Sequence, residues 1–177
     1  MHRWIRRLVA LCLPWLLAAC ASQDIGDYAQ ARPQFDPAQF FAGRTQAWGI
    51  FQKRDGSVAR RFHVVIDGRV EGRKLTLDER FRYDDGETQQ RVWSLERQDD
   101  GTWRGTAGDV KGVAIGEVAG NTLHWRYTLV LPVKDTTYDM RMDDWMYLID
   151  DKTMINRTSM QKFGIEVGQV SLFFRKD

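Results

Sequence analysis

The stretch that decides the fold is Leu75-Thr76-Leu77-Asp78-Glu79-Arg80-Phe81-Arg82-Tyr83, then Asp84-Asp85-Gly86, then Glu87-Thr88-Gln89-Gln90-Arg91-Val92-Trp93-Ser94-Leu95. Two alternating runs flank an Asp-Gly turn, the signature of a β-hairpin whose glycine takes the left-handed position of a three-residue loop. That loop fixes the register: Tyr83 faces Glu87, Phe81 faces Gln89, Glu79 faces Arg91, Leu77 faces Trp93 and Leu75 faces Leu95. Side chains alternate with period two, so all ten share one face. The face is apolar except at its centre, where Glu79 meets Arg91.

Working outward, similar segments recur between turn dipeptides at Asp55-Gly56, Asp67-Gly68, Asp100-Gly101 and Gly120-Asn121. Aspartate tolerates turn geometry and glycine supplies positive φ. Strands are expected at about 44–52, 58–66, 70–83, 87–97, 102–107, 112–119, 122–132, 136–149, 153–163 and 165–175. About ten short antiparallel strands without a long helical pattern predict an all-β meander. Closure into a lipocalin- or calycin-like barrel would remove exposed edges; a two-sheet β-sandwich is the alternative. Before the first strand, Asp36-Pro37 reads as an N-cap with proline at the first helical position, and Gly43 as a stop. A short helical turn over 37–41 would place Phe40 and Phe41 as a plug at one end.

The N-terminus has a different character. Arg3, Arg6 and Arg7 precede an apolar run from Leu8 to Ala19, about the length of a signal-peptide core and short of the ~20 residues that span a bilayer. Leu17-Ala18-Ala19-Cys20 resembles the lipobox of bacterial lipoproteins, so residues 1–19 read as a removable signal and Cys20 as the lipidated residue. Ala21, rather than Asp, after the cysteine favours the outer membrane by the sorting rule of such proteins. The formal charge of +2 includes the three signal arginines, and becomes −1 without them. A near-neutral domain has no electrostatic footprint for nucleic acid. Of the two cysteines, Cys12 leaves with the signal and Cys20 is alkylated, which excludes a disulfide framework. Residues 21–34 are polar and read as a spacer, leaving 35–177 as the barrel domain.

Candidate site residues follow from the strand faces. Arg91 and Glu79 would form a polar anchor in a ligand cavity, as arginines do for carboxylates in fatty-acid-binding barrels, or a purely structural pair. Trp93, Trp125 and Tyr127, with Trp48, Trp103 and Trp145, would build either a core or the lining of a lipid site. In the segment 136–149, Tyr138, Met140 and Met142 hold one parity and Trp145, Tyr147 and Ile149 the other. A β-bulge at Asp143-Asp144 would reconcile them and re-aim Asp144 and Trp145. The series Gly108, Gly112, Gly116 and Gly120 predicts a bare strip covered by neighbouring aromatics, or a slot for an acyl chain. Met140, Met142, Met146, Met154 and Met160 offer adaptable packing, as core or as a pliable pocket.

Signals of catalysis are sparse. His63 and His124 sit on separate strands, there is no Gly-x-Ser-x-Gly elbow, and neither histidine has a zinc-ligand partner at a recognisable spacing. No phosphate-binding glycine loop opens a helix. The paired aspartates fall mostly in turns, which leaves Asp109, Glu79 and Asp144 as conceivable acid-base groups. No cofactor or metal is implied.

The combination of Arg91-Val92-Trp93, Gly105-Thr106-Ala107-Gly108-Asp109-Val110-Lys111-Gly112-Val113-Ala114, Gly120-Asn121 with Trp125 and Tyr127, Asp143-Asp144-Trp145-Met146-Tyr147, Asn156-Arg157 and Lys162-Phe163-Gly164 resembles an uncharacterised family of proteobacterial lipoproteins, defined only as a domain of unknown function. The resemblance covers roughly Phe35 to Arg175. It implies a lipocalin-like barrel and supplies no activity. Three functions stay open: a non-catalytic binder or carrier of a fatty acyl or other amphipathic ligand at the periplasmic face of the outer membrane, an envelope assembly partner, and a lipid-modifying enzyme. A connected apolar cavity favours the first, a packed interior with an exposed apolar patch the second, and converging titratable groups the third.

Overall fold

The computed structural model describes residues 23–133 and 135–177. Residues 1–19, expected to be a signal peptide, and Cys20 lie outside the described residues. Ten strands follow a 3-10 turn (Ile25–Tyr28) and a short helix α1 (Pro37–Phe41): β1 (Gly43–Lys53), β2 (Val58–Glu71), β3 (Lys74–Tyr83), β4 (Thr88–Arg97), β5 (Trp103–Thr106), β6 (Val110–Ala119), β7 (Thr122–Val133), β8 (Thr136–Leu148), β9 (Thr153–Lys162) and β10 (Ile165–Lys176). Each pairs antiparallel with its sequence neighbour, and β1 pairs with β10, so the sheet is a closed barrel and not a sandwich. Closure gives both terminal strands a ladder partner and leaves no open edge.

The β3–β4 hairpin has the register read from its sequence, with Glu79 opposite Arg91, Leu77 opposite Trp93 and Leu75 opposite Leu95. Its loop closes through Gly86 N–H to Tyr83 C=O at 3.1 Å, with Gly86 at φ 88°. Helix α1 spans the predicted residues. The Asp36 side chain accepts from the Ala38 and Gln39 amides, and Phe40 and Phe41 are buried across one end of the barrel. Lys176, at the other end of the chain, donates to the carbonyls of Gln39, Phe40 and Ala42 at 2.7–2.9 Å. A cation on the unpaired carbonyls at a helix C-terminus is favourable there. The plug is thus tied to the last strand.

Three expectations are corrected. Asp67-Gly68 is not a turn: β2 continues through it to Glu71, and the reversal comes at Gly72, φ 60°. Gly68 is there because a Cβ would lie 1.7 Å from the Phe41 carbonyl oxygen, so only glycine lets the strand pass under the plug. The second correction concerns β8, which carries no bulge. Its pairing to β7 and β9 is unbroken, with Met140, Met142, Asp144, Met146 and Leu148 all on the inner face. Trp145 and Tyr147 therefore point outward, where apolar side chains were not expected.

The cover for those two rings is the third correction. Residues 23–34 are no plain spacer. Tyr28 packs on Trp145 and Tyr147, at centroid distances of 6.1 and 5.7 Å, and Trp145 stacks on His124 at 3.9 Å. Gln23 donates to the hydroxyls of Tyr28 and Tyr147, both at 2.7 Å, and the Phe35 amide donates to Gly120 C=O at 2.8 Å. The segment lies as a strap along the outer wall. Gly120, φ 54°, allows its close approach, since a Cβ there would sit 1.9 Å from the Tyr28 carbonyl oxygen.

The glycine series does not form one strip. Gly112 sits at φ 73° where the β6–β7 register shifts, and Gly120 lies in the following turn. Gly116 alone is covered as expected: Trp125 packs on it, and also on Gly105, so a Cβ at either would lie under 3 Å from the indole. Inside, buried residues form two clusters. The larger, from Phe40 and Phe41 to Trp93, Trp103 and Trp125, fills the plugged end, and Leu129, Met140, Met142 and Met160 form the other.

Candidate functional site

Between these clusters lies a cavity of about 410 Å³, enclosed by residues of nearly every strand. Its wall is mostly apolar because each strand presents alternate residues inward: Val64 and Ile66 from β2, Leu77 and Phe81 from β3, Trp93 and Leu95 from β4, Leu172 and Phe174 from β10. The far end from α1 is rimmed by Arg60 and Tyr83. The Arg60 guanidinium lies 3.6 Å from the Tyr83 ring centroid and pairs with Asp85 and Glu87.

Charged and polar groups break the apolar wall. Glu79, Arg91, Tyr127 and Asp144 all line the cavity, as do Trp93 and Trp125. The structure thus brings together Arg91, Glu79, Trp93, Trp125, Tyr127 and Asp144 from the candidates named from sequence. Trp145 is the exception, being on the outer face beneath the strap. Of the remaining tryptophans, Trp103 lines the plugged end, whereas Trp48 is exposed on the outer wall.

The partner of Arg91 differs from the expectation. Glu79 is its cross-strand neighbour at 3.8 Å, but the close contact is with Asp109, in the loop between β5 and β6. Arg91 Nε and Nη2 reach the Asp109 carboxylate at 2.7–3.0 Å. Gln89 also donates to Asp109 at 3.4 Å and accepts from the Tyr83 hydroxyl at 2.9 Å. A two-point arginine–carboxylate contact of this kind occupies the guanidinium fork. Arg91 is therefore not a free cation waiting for a carboxylate, because Asp109 already holds that place. Asp109 was visible in the sequence only as a conceivable acid; its pairing is non-local, eighteen residues from Arg91, and no hairpin register predicts it.

The acids outnumber the base, and burial decides their state. Glu79 is pushed up to about 7 by burial, with Arg91 opposing and the Asp109 and Asp144 charges reinforcing. Asp144 is likewise pushed up to about 7 by burial, with the Arg91 charge opposing and the Asp143 charge reinforcing. Burial works against the charge on Arg91, and Tyr127, Asp109 and Glu79 outweigh it, so its guanidinium stays firmly protonated. Burial and the Asp144 carboxylate hold the Tyr127 hydroxyl well above its ordinary value, so it remains a donor.

Asp144 has a further distinction. It stands opposite Thr158 on β9 and Trp125 on β7, is 6% exposed, and its Oδ1 has no hydrogen-bond partner. A buried carboxylate oxygen without a donor is costly. Beside it, Asn156 and Thr158 are also buried, with the Thr158 hydroxyl donating to Asn156 Oδ1 at 3.0 Å. These two were not singled out as site residues from the sequence. The alternation of Met154, Asn156, Thr158 and Met160 along β9 was the signal that would have placed them inward.

Chemically, the arrangement is an apolar chamber crossed by a belt of polar groups: Arg91, held by Asp109, and two carboxyl groups, Glu79 on β3 and Asp144 on the opposite strand β8, that hold protons near neutrality. No curated protein matches the chain. The family model described as "Protein of unknown function (DUF3833)" matches residues 14–176, nearly the whole sequence, and the chain is therefore a member of the DUF3833 family.

Proposed function

We propose that this protein is a lipid-anchored envelope protein, tethered through Cys20 at the periplasmic face of the outer membrane, that binds or carries an amphipathic ligand with a fatty acyl chain and does no chemistry on it. The observation that carries the reading is the cavity of about 410 Å³ inside the closed barrel, within the range of roughly 300–1,000 Å³ common for ligand sites. Its apolar surface suits an acyl chain, and its belt of polar groups would orient the other end.

The polar groups also narrow the head group. A free carboxylate would find no open cation in the lining: the Arg91 fork is filled by Asp109, and Arg60 at the rim is paired with Asp85 and Glu87. A hydrogen-bond donor, such as a hydroxyl, an amide N–H or an amine, would instead complete the unpartnered Asp144 Oδ1. The ligand class we favour is a long-chain ester, amide or alcohol with a donor head, rather than a free fatty acid.

The test is native mass spectrometry of the protein isolated from its membrane, followed by lipid extraction and by titration with a monoacylglycerol and with the free fatty acid of equal chain length. A stoichiometric non-covalent acyl species, and tighter binding of the monoacylglycerol, are expected. An empty protein that ignores both lipids would overturn the carrier reading. One observation favours a second reading: Glu79 and Asp144, both near 7 and facing one cavity from opposite strands, have the proton affinity that acid-base catalysis uses. Release of a shortened product from the added acyl ester, lost in Asp144→Asn, would move the assignment to an enzyme.

A further inference from the structure

The outer wall holds a feature that the cavity does not account for. Trp48 on β1, Phe173 on β10 and Ile155 on β9 are direct cross-strand neighbours, and each is 43–45% exposed. The row continues on one side to Tyr147 of β8, opposite Ile155, and on the other to His63 of β2, opposite Trp48. The central three span two strand spacings, about 10 Å. The rows above and below carry Arg157, opposite Ser171, and Arg175, opposite Gln46. Both arginines are exposed, and neither has an ion-pair partner among the described residues.

The position of the strap says what would cover this ribbon. Gln23 is pinned to the Tyr147 hydroxyl, at the ribbon's end. Cys20 precedes it by three residues, which reach at most about 11 Å when fully extended. A lipid carried on Cys20 would therefore enter its bilayer beside Tyr147 and Ile155, and the wall bearing the ribbon would be drawn against the membrane surface. Exposed aromatic rings bordered by arginines suit that boundary: aromatic side chains settle at the headgroup level, and basic side chains pair with anionic phosphates.

We infer that the Trp48–Phe173–Ile155 ribbon is a membrane-contact face, which lays the barrel on its side against a bilayer containing anionic lipid, with Arg157 and Arg175 on its phosphates. The inference rests on the proposed lipidation of Cys20 and is independent of what the cavity holds.

The experiment uses the full chain, expressed with its own N-terminus and reconstituted into phosphatidylethanolamine–phosphatidylglycerol vesicles. Nitroxide labels are placed at Ile155→Cys and, on the other side of the barrel, at the exposed β6 position Val113→Cys. Intact mass reports acylation, and power-saturation spectroscopy reports accessibility to an aqueous nickel chelate and to oxygen. Expected are an acylated protein, a severalfold loss of nickel accessibility with a gain in oxygen accessibility at position 155, and an aqueous signature at position 113. Acylated protein with both labels aqueous overturns the contact face and leaves the anchor standing. Shielding from nickel without a gain in oxygen would mean that protein, not lipid, covers the ribbon, and overturns it too. An unacylated protein removes the anchor and the orientation together.

Discussion

Replacing Asp144 with Asn tests the state of the cavity directly. In the folded protein Asp144 is pushed up to about 7, chiefly by burial, from an ordinary 3.8. Between those values the unfolded chain has lost its proton and the folded chain keeps it, so the folded state binds more protons and stability falls as pH rises. Each pH unit in that window costs about 1.4 kcal/mol, which gives about 4 kcal/mol from Asp144 between pH 4 and pH 8. Glu79, raised from 4.5 to about 7, adds a decline of the same sign. The two interact through Arg91, so their effects overlap rather than simply add. The asparagine variant loses the Asp144 part: its stability should fall less steeply from pH 4 to pH 8, and at pH 8 it should exceed the wild type by about 2 to 4 kcal/mol, after allowing for the buried amide. Urea unfolding at half-unit pH intervals is the assay. The surface aspartates held below their ordinary range, such as Asp55, Asp85 and Asp100, act with the opposite sign and only as pH falls below about 4, outside this window. Parallel wild-type and variant curves from pH 4 to 8 would refute the reasoning, because they would mean that Asp144 is hydrated and ionised like any surface acid.

Two other substitutions follow from the geometry. Arg91→Met strands the Asp109 carboxylate and should destabilise the barrel by about 3–5 kcal/mol, whereas the pair Arg91→Met with Asp109→Leu should recover most of that; a loss in the double variant equal to the sum of the two single losses, measured by denaturant unfolding, would show that the pair is not coupled. Gly68→Ala puts a Cβ into the Phe41 carbonyl, so the plug must move; we expect a loss of about 2 kcal/mol or more and faster exchange of the Phe40 amide, which is bonded to Asp36 C=O at 2.9 Å, in hydrogen-exchange measurements.

What could be read from sequence was what local chemistry controls. The Asp84-Asp85-Gly86 loop fixes its hairpin register pair by pair, and Asp36-Pro37 fixes the start of α1. The readings that failed were those settled by distant residues. Asp67-Gly68 carries turn chemistry, but the glycine serves the passing Phe41 carbonyl instead. Trp145 and Tyr147 have the pattern of inward residues, and they are covered from outside by a strap whose polar composition reads as a linker. Glu79 and Arg91 were placed correctly opposite each other, yet the carboxylate that binds Arg91 comes from the loop beyond the adjacent strand β5. Period-two reasoning assigns a residue to a face; it does not say whether that face is covered by another part of the same chain.

The pairing of β1 with β10 bears on how the protein comes to be folded. Every other neighbouring pair in the barrel is joined by a connection of a few residues and can form as a local hairpin, but Thr45 meets Lys176, at the opposite end of the chain. The entropic cost of that closure grows only slowly with the length enclosed; the larger difficulty is one of order. A chain synthesised from its N-terminus presents β1 early, with one edge paired to β2 and the other open until the last strand emerges. The outward face of that waiting strand carries Trp48. Truncation within the last dozen residues would leave the edges of β1 and β9 permanently open and would remove Lys176 from the helix plug, so the C-terminal strand acts as a quality gate: until it arrives, the chain is a sticky curled sheet, and only afterwards a sealed vessel.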